Sequence, residues 1–194
     1  MSEPHVFPVA SSDTLYVGRI LALRRDQVLM PGGRTAVREV IEHPGAVAVV
    51  ALDDDGSVVM IDQYRHPVSR RLRELPAGLL DMAGEDPWAT AQRELVEETG
   101  CTARDWSLLV DVVSSAGFSD EAVRVFLARG LREVGRPAGQ DDEEADLRVV
   151  RLLLVDAVRQ VLIGEIVNAA AVSGLLAAHA VLTGIAQPRP ADAP

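Results

Sequence analysis

One segment, DPWATAQRELVEETG over residues 86–100, carries both the start and the stop signals of a helix and lies between segments that resemble strands. Asp86 is a preferred N-cap residue and Pro87 suits the first helical position. Gly100 suits the position just past the end. The apolar positions at helical spacing, which we expect to face the core, are Trp88, Ala91 and Leu95.

Short apolar runs separated by glycine- and aspartate-rich turns lie on both sides of this helix, and such runs predict β-strands. The predicted strands are residues 15–29, 34–41, two strands within 45–65 joined by a turn at 53–56, then 106–115, 122–131 and 147–154. Two more helices are predicted over 156–165 and 166–182. This order of elements predicts an α/β sandwich around a mixed sheet rather than regularly alternating βαβ units.

The charge of the chain restricts its partners. It has 19 Lys and Arg against 29 Asp and Glu, a net charge of −10, which argues against a nucleic acid or an acidic membrane as partner. An anionic substrate would therefore need arginines or metal cations. The single cysteine, Cys101, fits a reducing, cytoplasmic location, and the N-terminus shows no signal peptide. The apolar segment 166–184 is alanine-rich and contains Asn168 and His179, so we interpret it as a buried helix rather than a membrane span.

Three glutamates, Glu94, Glu97 and Glu98, lie near the predicted end of the first helix. The helix dipole disfavours each carboxylate there by ~0.3–1 kcal/mol. A solvated acidic surface is the simplest interpretation of such a cluster. However, Glu94 and Glu98 are one turn apart and both can reach one hard cation. Oxygen-rich clusters of this kind suit Mg²⁺ or Mn²⁺, so we predict a metal site here.

The residues around these glutamates resemble the Nudix box, G-x5-E-x7-R-E-U-x-E-E-x-G-U, in which U is apolar. Residues 93–101, RELVEETGC, match it at every fixed position, and Glu85 has the required spacing to Arg93. One departure is that six residues rather than five separate Gly78 from Glu85, and we place the extra residue in the loop 81–84. Upstream and downstream segments resemble the ADP-ribose pyrophosphatases within this superfamily; these are 63–81, 143–147 and the N-terminal strands.

The resemblance implies an α/β fold, a Nudix-like α/β/α sandwich with a mixed sheet, plus N-terminal antiparallel strands. Residues 1–42 would form a strand segment exchanged in a homodimer, 43–185 the Nudix hydrolase domain, and 186–194 a proline-rich, disordered tail. Apolar residues of the first segment would need a partner surface; they are Leu15, Val17, Ile20 and Leu21. Packing of these strands on their own core is the alternative.

The resemblance also implies metal ligands. Glu94 and Glu98 would bind the cation, and the backbone carbonyl of Ala77 would complete the shell. Glu97 would be a catalytic residue or a third ligand.

Further residues would act on the substrate. In the acidic run 141–146, which could also be a solubilising surface loop, Glu143 would serve as general base or bind a metal, with Glu144 as the alternative. Arg65 would grip the phosphates, although a surface salt bridge is the simpler interpretation for this arginine. The partner's strands would supply further substrate-binding residues at the adenosine end, namely Arg34, Arg38 and Glu39.

The implied activity is metal-dependent hydrolysis of the diphosphate of ADP-ribose to AMP and ribose 5-phosphate, with Mg²⁺ or Mn²⁺ as cofactor. The implied partners are a small nucleoside diphosphate and a second copy of the chain, without nucleic acid or membrane. Three alternatives stay open: hydrolysis of another nucleoside diphosphate derivative such as a nucleotide-sugar, non-catalytic binding of ADP-ribose, and a purely structural domain.

Overall fold

A computed structural model describes residues 6–137 and 146–194, and it divides into two compact units. The first unit comprises the described residues up to Gly45 together with Val113–Glu121. The second comprises Ala46–Val112 and the described residues from Ala122 to Pro194. Each unit has its own sheet.

The first unit is a three-stranded antiparallel sheet in the order β1-β2-β3. Its strands are β1 (Val9–Val17), β2 (Ala22–Leu29) and β3 (Thr35–Glu42). The sequence predicted one strand over 15–29, and this was wrong because a turn separates β1 from β2. In this turn the Gly18 N–H donates to the Leu21 carbonyl at 2.8 Å. Within these three strands Asp26 is the only buried residue, so the sheet has no apolar core of its own.

Asp26 is stabilised as a carboxylate by its neighbours. It accepts hydrogen bonds from the Ser12 hydroxyl at 2.6 Å and from Arg24 Nε at 3.0 Å. These bonds lower the pKa of Asp26, the Ser12 bond contributing most. The backbone pairing of β1 with β2 is thus supplemented by polar side chains rather than by an apolar centre.

The second unit contains a mixed sheet in the order β10-β5-β4-β9-β8-β11, with β6 beside β5 and β7 beside β4. β4 and β9 are parallel, whereas β4 is antiparallel to β5 and β7. The predicted hairpin turn at 53–56 is confirmed, since the Gly56 N–H donates to the Asp53 carbonyl at 3.0 Å. The strands are β4 (Ala46–Leu52), β5 (Ser57–Arg65), β6 (Arg70–Glu74), β7 (Ala77–Leu79), β8 (Cys101–Val113), β9 (Ala122–Glu133), β10 (Arg148–Leu153) and β11 (Arg189–Pro190).

Helices cover both faces of this sheet, which confirms the predicted α/β/α sandwich. They are α1 (Pro87–Thr99), α2 (Leu154–Leu162) and α3 (Ala169–Leu182). Alternate residues of β4 point to opposite faces. Val47, Val49 and Ala51 pack with Ala91 and Leu95 of α1. The other β4 side chains, Ala48, Val50 and Leu52, pack with residues of α2 and α3, including Ala157, Leu175 and Ala178.

The α3 segment is the apolar helix that the sequence predicted over 166–182. Four of its residues are buried, namely Ala171, Gly174, Leu175 and Ala178. In the part of the chain that the structure describes, no helix combines the length and apolarity that a bilayer crossing requires.

Three other expectations need correction. Trp88 is 36% exposed and does not belong to the core stripe of α1; Thr90 is buried there instead. The strands β6 and β7 were not predicted, because each is short and β6 is rich in arginine.

The proline-rich end, for which the sequence predicted a disordered tail, contains a short strand in the structure. Arg189–Pro190 pair with Ser107 and Leu108 of β8, and the Ala193 carbonyl accepts a hydrogen bond from Arg124 at 2.9 Å. Proline is compatible with an edge strand because its missing N–H can face away from the sheet.

Candidate active site

The site is built on the C-terminal end of α1, and both ends of this helix have the caps that the sequence predicted. Asp86 Oδ1 accepts a hydrogen bond from the Trp88 N–H at 2.8 Å. Gly100 has a φ of +71°, and its N–H donates to the Val96 carbonyl at 2.8 Å. A Cβ at Gly100 would lie 2.8 Å from the backbone nitrogen of Arg136, so glycine is required both by conformation and by space. The helix therefore ends at a fixed position beside the glutamates.

Arg93 holds three carboxylates together. Its Nε and Nη2 contact Glu85 at 3.2 and 3.1 Å, and its Nη1 contacts Glu94 at 2.7 Å and Glu97 at 2.8 Å. The pKa of Arg93 is raised, chiefly by its hydrogen bonds to Glu85, and the same arginine lowers the pKa of Glu85. The extra residue before Glu85 therefore does not prevent this glutamate from reaching Arg93. Glu85 orients the arginine, and the arginine orients Glu94 and Glu97.

Gly78 leaves the space that the Glu94 carboxylate occupies. Gly78 lies in β7 opposite Val47 of β4. A Cβ at this glycine would lie 2.1 Å from both Cδ and Oε1 of Glu94, far inside van der Waals contact. Only glycine therefore permits β7 to pass this close to the carboxylate.

Glu98 is tied to the neighbouring residue of the same strand. Its Oε2 accepts a hydrogen bond from the Ala77 N–H at 2.9 Å, and the residue is only 6% exposed. The Glu94 side chain is 13% exposed. A solvated acidic surface therefore does not describe these two glutamates, whereas Glu97, with 36% of its side chain exposed, lies closer to solvent.

The site carries an excess of negative charge. Arg136, which the sequence did not single out, donates from Nε to the Glu97 carbonyl at 3.1 Å and places a second cation near the helix end. Two guanidinium groups, Arg93 and Arg136, against the four carboxylates leave a formal balance of 2 − 4 = −2 for these groups. The four carboxylates are those of Glu85, Glu94, Glu97 and Glu98.

The donor atoms available here are carboxylate and backbone oxygens, which suit a hard divalent cation such as Mg²⁺ or Mn²⁺. Across residues 6–137 and 146–194, no three Asp, Glu, His or Cys side chains converge as a ready-made metal cage. Mg²⁺ does not require such a cage because it usually keeps several waters and binds through one or two carboxylates. The residues present therefore fit a hydrated divalent ion.

Arg65 lies at the end of β5 and makes a two-point ion pair with Glu74 at the end of β6. Its Nε contacts Glu74 Oε1 at 3.0 Å, and its Nη2 contacts Oε2 at 2.8 Å. The salt-bridge interpretation of Arg65 thus matches its contact in the structure, although the partner is a buried rather than a surface carboxylate. The sequence did not lead us to predict a role for Glu74. The one feature that could have drawn attention to this glutamate is its position directly before Leu75 and Pro76.

The other predicted site residues are not part of the second unit as described. Arg38 and Glu39 are exposed on β3 in the first unit, where Arg38 Nη1 donates to the Val37 carbonyl at 2.8 Å. Glu143 and Glu144 lie outside the described residues. Their predicted roles stay predictions.

An α/β/α sandwich with an Arg-linked glutamate cluster at one helix end defines a Nudix-type hydrolase site. Residues 42–168 match the model of the NUDIX domain, and residues 9–41 match that of the nucleoside diphosphate sugar hydrolase N-terminal domain. The chain belongs to the Nudix hydrolase family.

Several known proteins resemble this chain over most of its length. An ADP-ribose pyrophosphatase of Mycobacterium tuberculosis is 60% identical over 188 residues, which cover 97% of this chain and 90% of that protein. An ADP-ribose pyrophosphatase of Bacillus subtilis is 38% identical, covering 82% of this chain and 85% of its own length. A crystal structure of an ADP compounds hydrolase superposes with a TM-score of 0.80 at 22% identity, covering 96% of this chain and all of that one. This last likeness shows the fold.

Proposed function

We propose that the protein hydrolyses the diphosphate of ADP-ribose, giving AMP and ribose 5-phosphate, in a reaction that depends on a divalent cation. One observation carries the proposal: every fixed residue of the Nudix box is present, with one extra residue before Glu85, and Arg93 and the Ala77 N–H hold its glutamates at one helix end, in a chain that is 60% identical to an ADP-ribose pyrophosphatase. A protein that only binds ADP-ribose would not require this set of oxygen ligands.

The cation would be held by Glu94 and Glu98 together with the backbone carbonyl of Ala77. Three contacts support this assignment: Arg93 orients Glu94, Gly78 gives the Glu94 carboxylate its space, and the Ala77 N–H fixes Glu98. We propose Mg²⁺ as the physiological ion, with Mn²⁺ as a substitute, because both prefer oxygen ligands. When bound, such an ion polarises phosphoryl oxygens and lowers the pKa of a coordinated water.

The chain's own side chains would then position the substrate and move a proton. Arg65 is proposed to bind the phosphates, which would otherwise be repelled by a chain of net charge −10. Glu143 is proposed to take a proton from the attacking water, whose oxygen bonds to phosphorus as the bridging P–O bond breaks. Glu144 is the alternative base, and Glu97, which Arg93 orients, is the other catalytic candidate.

A second substrate class has support from the N-terminal segment. Residues 9–41 match a domain that is described from nucleoside diphosphate sugar hydrolases. Hydrolysis of a nucleotide-sugar is therefore the alternative function, and it would use the same carboxylate cluster.

We also propose that the protein is a homodimer in which the N-terminal sheet packs against a second copy. All nine residues of β1 are exposed in the single chain, and the large apolar side chains Leu15, Val17 and Ile20 are 44%, 73% and 51% exposed. Arg38 and Glu39 of one copy would then contact the adenosine end of the substrate in the other. A cytoplasmic location stays a prediction from the single cysteine.

The experiment is incubation with ADP-ribose and with two nucleotide-sugars, in Mg²⁺ and in Mn²⁺, with chromatographic separation of the products. Glu98→Gln should lower turnover by about two orders of magnitude or more with an unchanged fold, because the amide can still accept the Ala77 bond but carries no charge. Glu133→Gln, a change at a side chain that is 80% exposed, is the matched control. Intact ADP-ribose after incubation with wild type, or full activity of Glu98→Gln, would refute the proposal.

A further inference from the structure

Glu74 is a carboxylate that the proposed reaction does not use, and its placement is costly. The residue is 2% exposed, yet it keeps its charge partner Arg65 through two hydrogen bonds of 2.8 and 3.0 Å. Burial of a carboxylate is unfavourable unless such a pair compensates it, and an apolar residue at the same position would stabilise a sheet at least as well. The arginine, in contrast, keeps 44% of its side chain exposed.

The ion pair lies on the face of the β5–β6 hairpin that α1 covers. Val59 of β5 packs in the same cluster as Ala91 of α1. Because side chains alternate along a strand, Arg65 is on the same face as Val59. Glu74 is opposite Ile61, which is also on this face. The pair therefore shares its side of the sheet with the helix that carries the carboxylate cluster.

A short, fixed segment connects Glu74 to that cluster. Leu75 is 1% exposed, and the Pro76 carbonyl accepts a hydrogen bond from the Val49 N–H at 2.8 Å. The next residue, Ala77, donates its N–H to Glu98. One stretch of four residues, of which the first three are buried, thus contacts Arg65 at one end and a proposed metal ligand at the other.

We propose that Glu74 is a positioning residue that fixes the guanidinium of Arg65 for binding the substrate's phosphates. Two-point pairing through Nε and Nη2 sets the plane of the guanidinium, so that its exposed part is oriented before substrate arrives. The inference rests on the proposed function, because it assigns to Arg65 a phosphate of that substrate. It adds a role for a residue that contacts the arginine rather than the substrate.

The same hairpin supplies a matched control. Asp62 and Arg73 form an equivalent two-point pair, with Nε–Oδ1 at 2.9 Å and Nη2–Oδ2 at 3.0 Å. Arg73 also donates from Nη1 to Gln160 of α2 at 3.2 Å, so this pair lies on the opposite face of the sheet. Removal of either carboxylate charge should destabilise the hairpin, but only removal of the Glu74 charge should affect substrate binding.

The test compares Glu74→Gln with Asp62→Asn, using thermal unfolding and steady-state kinetics with ADP-ribose at saturating Mg²⁺. Glu74→Gln should raise KM about tenfold or more with kcat changed less than about threefold, since it removes binding and not chemistry. Both Glu74→Gln and Asp62→Asn should lower Tm, by similar amounts, but Asp62→Asn should leave KM within about twofold of wild type. In Arg65→Ala, adding Glu74→Gln should raise KM no further, because both changes remove the same contact.

Several outcomes would overturn the inference. Equal effects of Glu74→Gln and Asp62→Asn on KM, or additive effects with Arg65→Ala, would make Glu74 a purely structural residue. Should Glu74→Gln fail to fold, Arg65→Lys keeps the charge opposite Glu74 but loses the two-point geometry, and an unchanged KM would then refute the role. A wild type that leaves ADP-ribose intact refutes the proposed function instead, and calorimetric binding of ADP-ribose to the same variants still decides the role of Glu74.

Discussion

Gly78→Ala tests whether the place of the Glu94 carboxylate matters to the reaction. The change adds one methyl group, whose carbon would lie 2.1 Å from both Cδ and Oε1 of Glu94. The glycine has no positive φ, so alanine is compatible with its backbone. The main effect of the substitution is therefore steric and acts on one side chain.

The size of the effect follows from that distance. An ordinary carbon contact is ~3.5 Å, so the Glu94 carboxylate has to move by about 1.4 Å away from β7. A misplacement of ~1 Å in a catalytic group can cost ~100-fold in rate. Because each 1.36 kcal/mol corresponds to a factor of ten, the expected loss in kcat/KM is about 2.7 kcal/mol. Glu94 is a flexible side chain, so we expect Tm to change by only a few degrees, ~1 kcal/mol or less.

The assay is kcat/KM for ADP-ribose with Mg²⁺, together with a Mn²⁺ titration followed by electron paramagnetic resonance and a thermal melt. Two glycine-to-alanine controls bracket the result. A Cβ at Gly117 meets nothing within 4 Å, so Gly117→Ala should be neutral in all three measurements. A Cβ at Gly174 would lie 2.8 Å from Leu75 Cδ1, so Gly174→Ala should lower Tm and spare metal binding. If Gly78→Ala keeps kcat/KM within about threefold of wild type, the reaction does not depend on the exact position of the Glu94 carboxylate, and the reasoning is refuted.

Three further predictions follow from the same molecule. Glu143→Gln should lower kcat with little change in KM, and a larger loss from Glu144→Gln would move the base by one residue. Deletion of residues 1–40 should abolish both dimerisation and affinity for ADP-ribose; sedimentation of the full chain as a fully active monomer would contradict this. Although burial acts to raise it, the pKa of Asp111 is held below its usual value by Arg189 and Arg124, so the ionised form stabilises the folded chain. The Tm difference between wild type and Asp111→Asn should be present at neutral pH and should disappear as the pH falls through the lowered pKa of Asp111 in the folded chain. A difference that stays constant with pH would exclude the ion pair.

The sequence predicted those parts of the fold that depend on local signals. The caps of α1 at Asp86 and Gly100 appear in the structure as predicted, because both act through bonds to residues two to four positions away. The β4–β5 hairpin was equally local, since Gly56 closes its turn. The spacing placed Glu94 and Glu98 on one face of this helix for the same reason, since residues one helical turn apart must share a face.

Other parts depend on contacts between distant residues, and the sequence did not show them. Trp88 satisfies the helical periodicity but is 36% exposed, whereas Thr90 is buried and its hydroxyl donates to Glu85. The tail forms β11 because Asp111 and Arg124, about 70 residues earlier, hold it in place. The buried pair Arg65–Glu74 requires the β5–β6 register, which no periodicity of β6 indicated.

The groups around the carboxylates at the end of α1 fix the positions of these carboxylates without neutralising their charge. Arg93 pairs with two of them, Glu94 and Glu97, and with Glu85 before the helix, but it cannot balance the charge. Together with Glu98 and Arg136, these groups keep a formal excess of two negative charges. Glycine at 78 brings the backbone of β7 against Glu94, where a larger residue would push the carboxylate away. A site designed only for stability would exchange such buried charges for apolar side chains. A bound divalent cation would account for these buried charges in a chain of net charge −10. It would compensate the negative charge at the helix end and would attract an anionic diphosphate to the site.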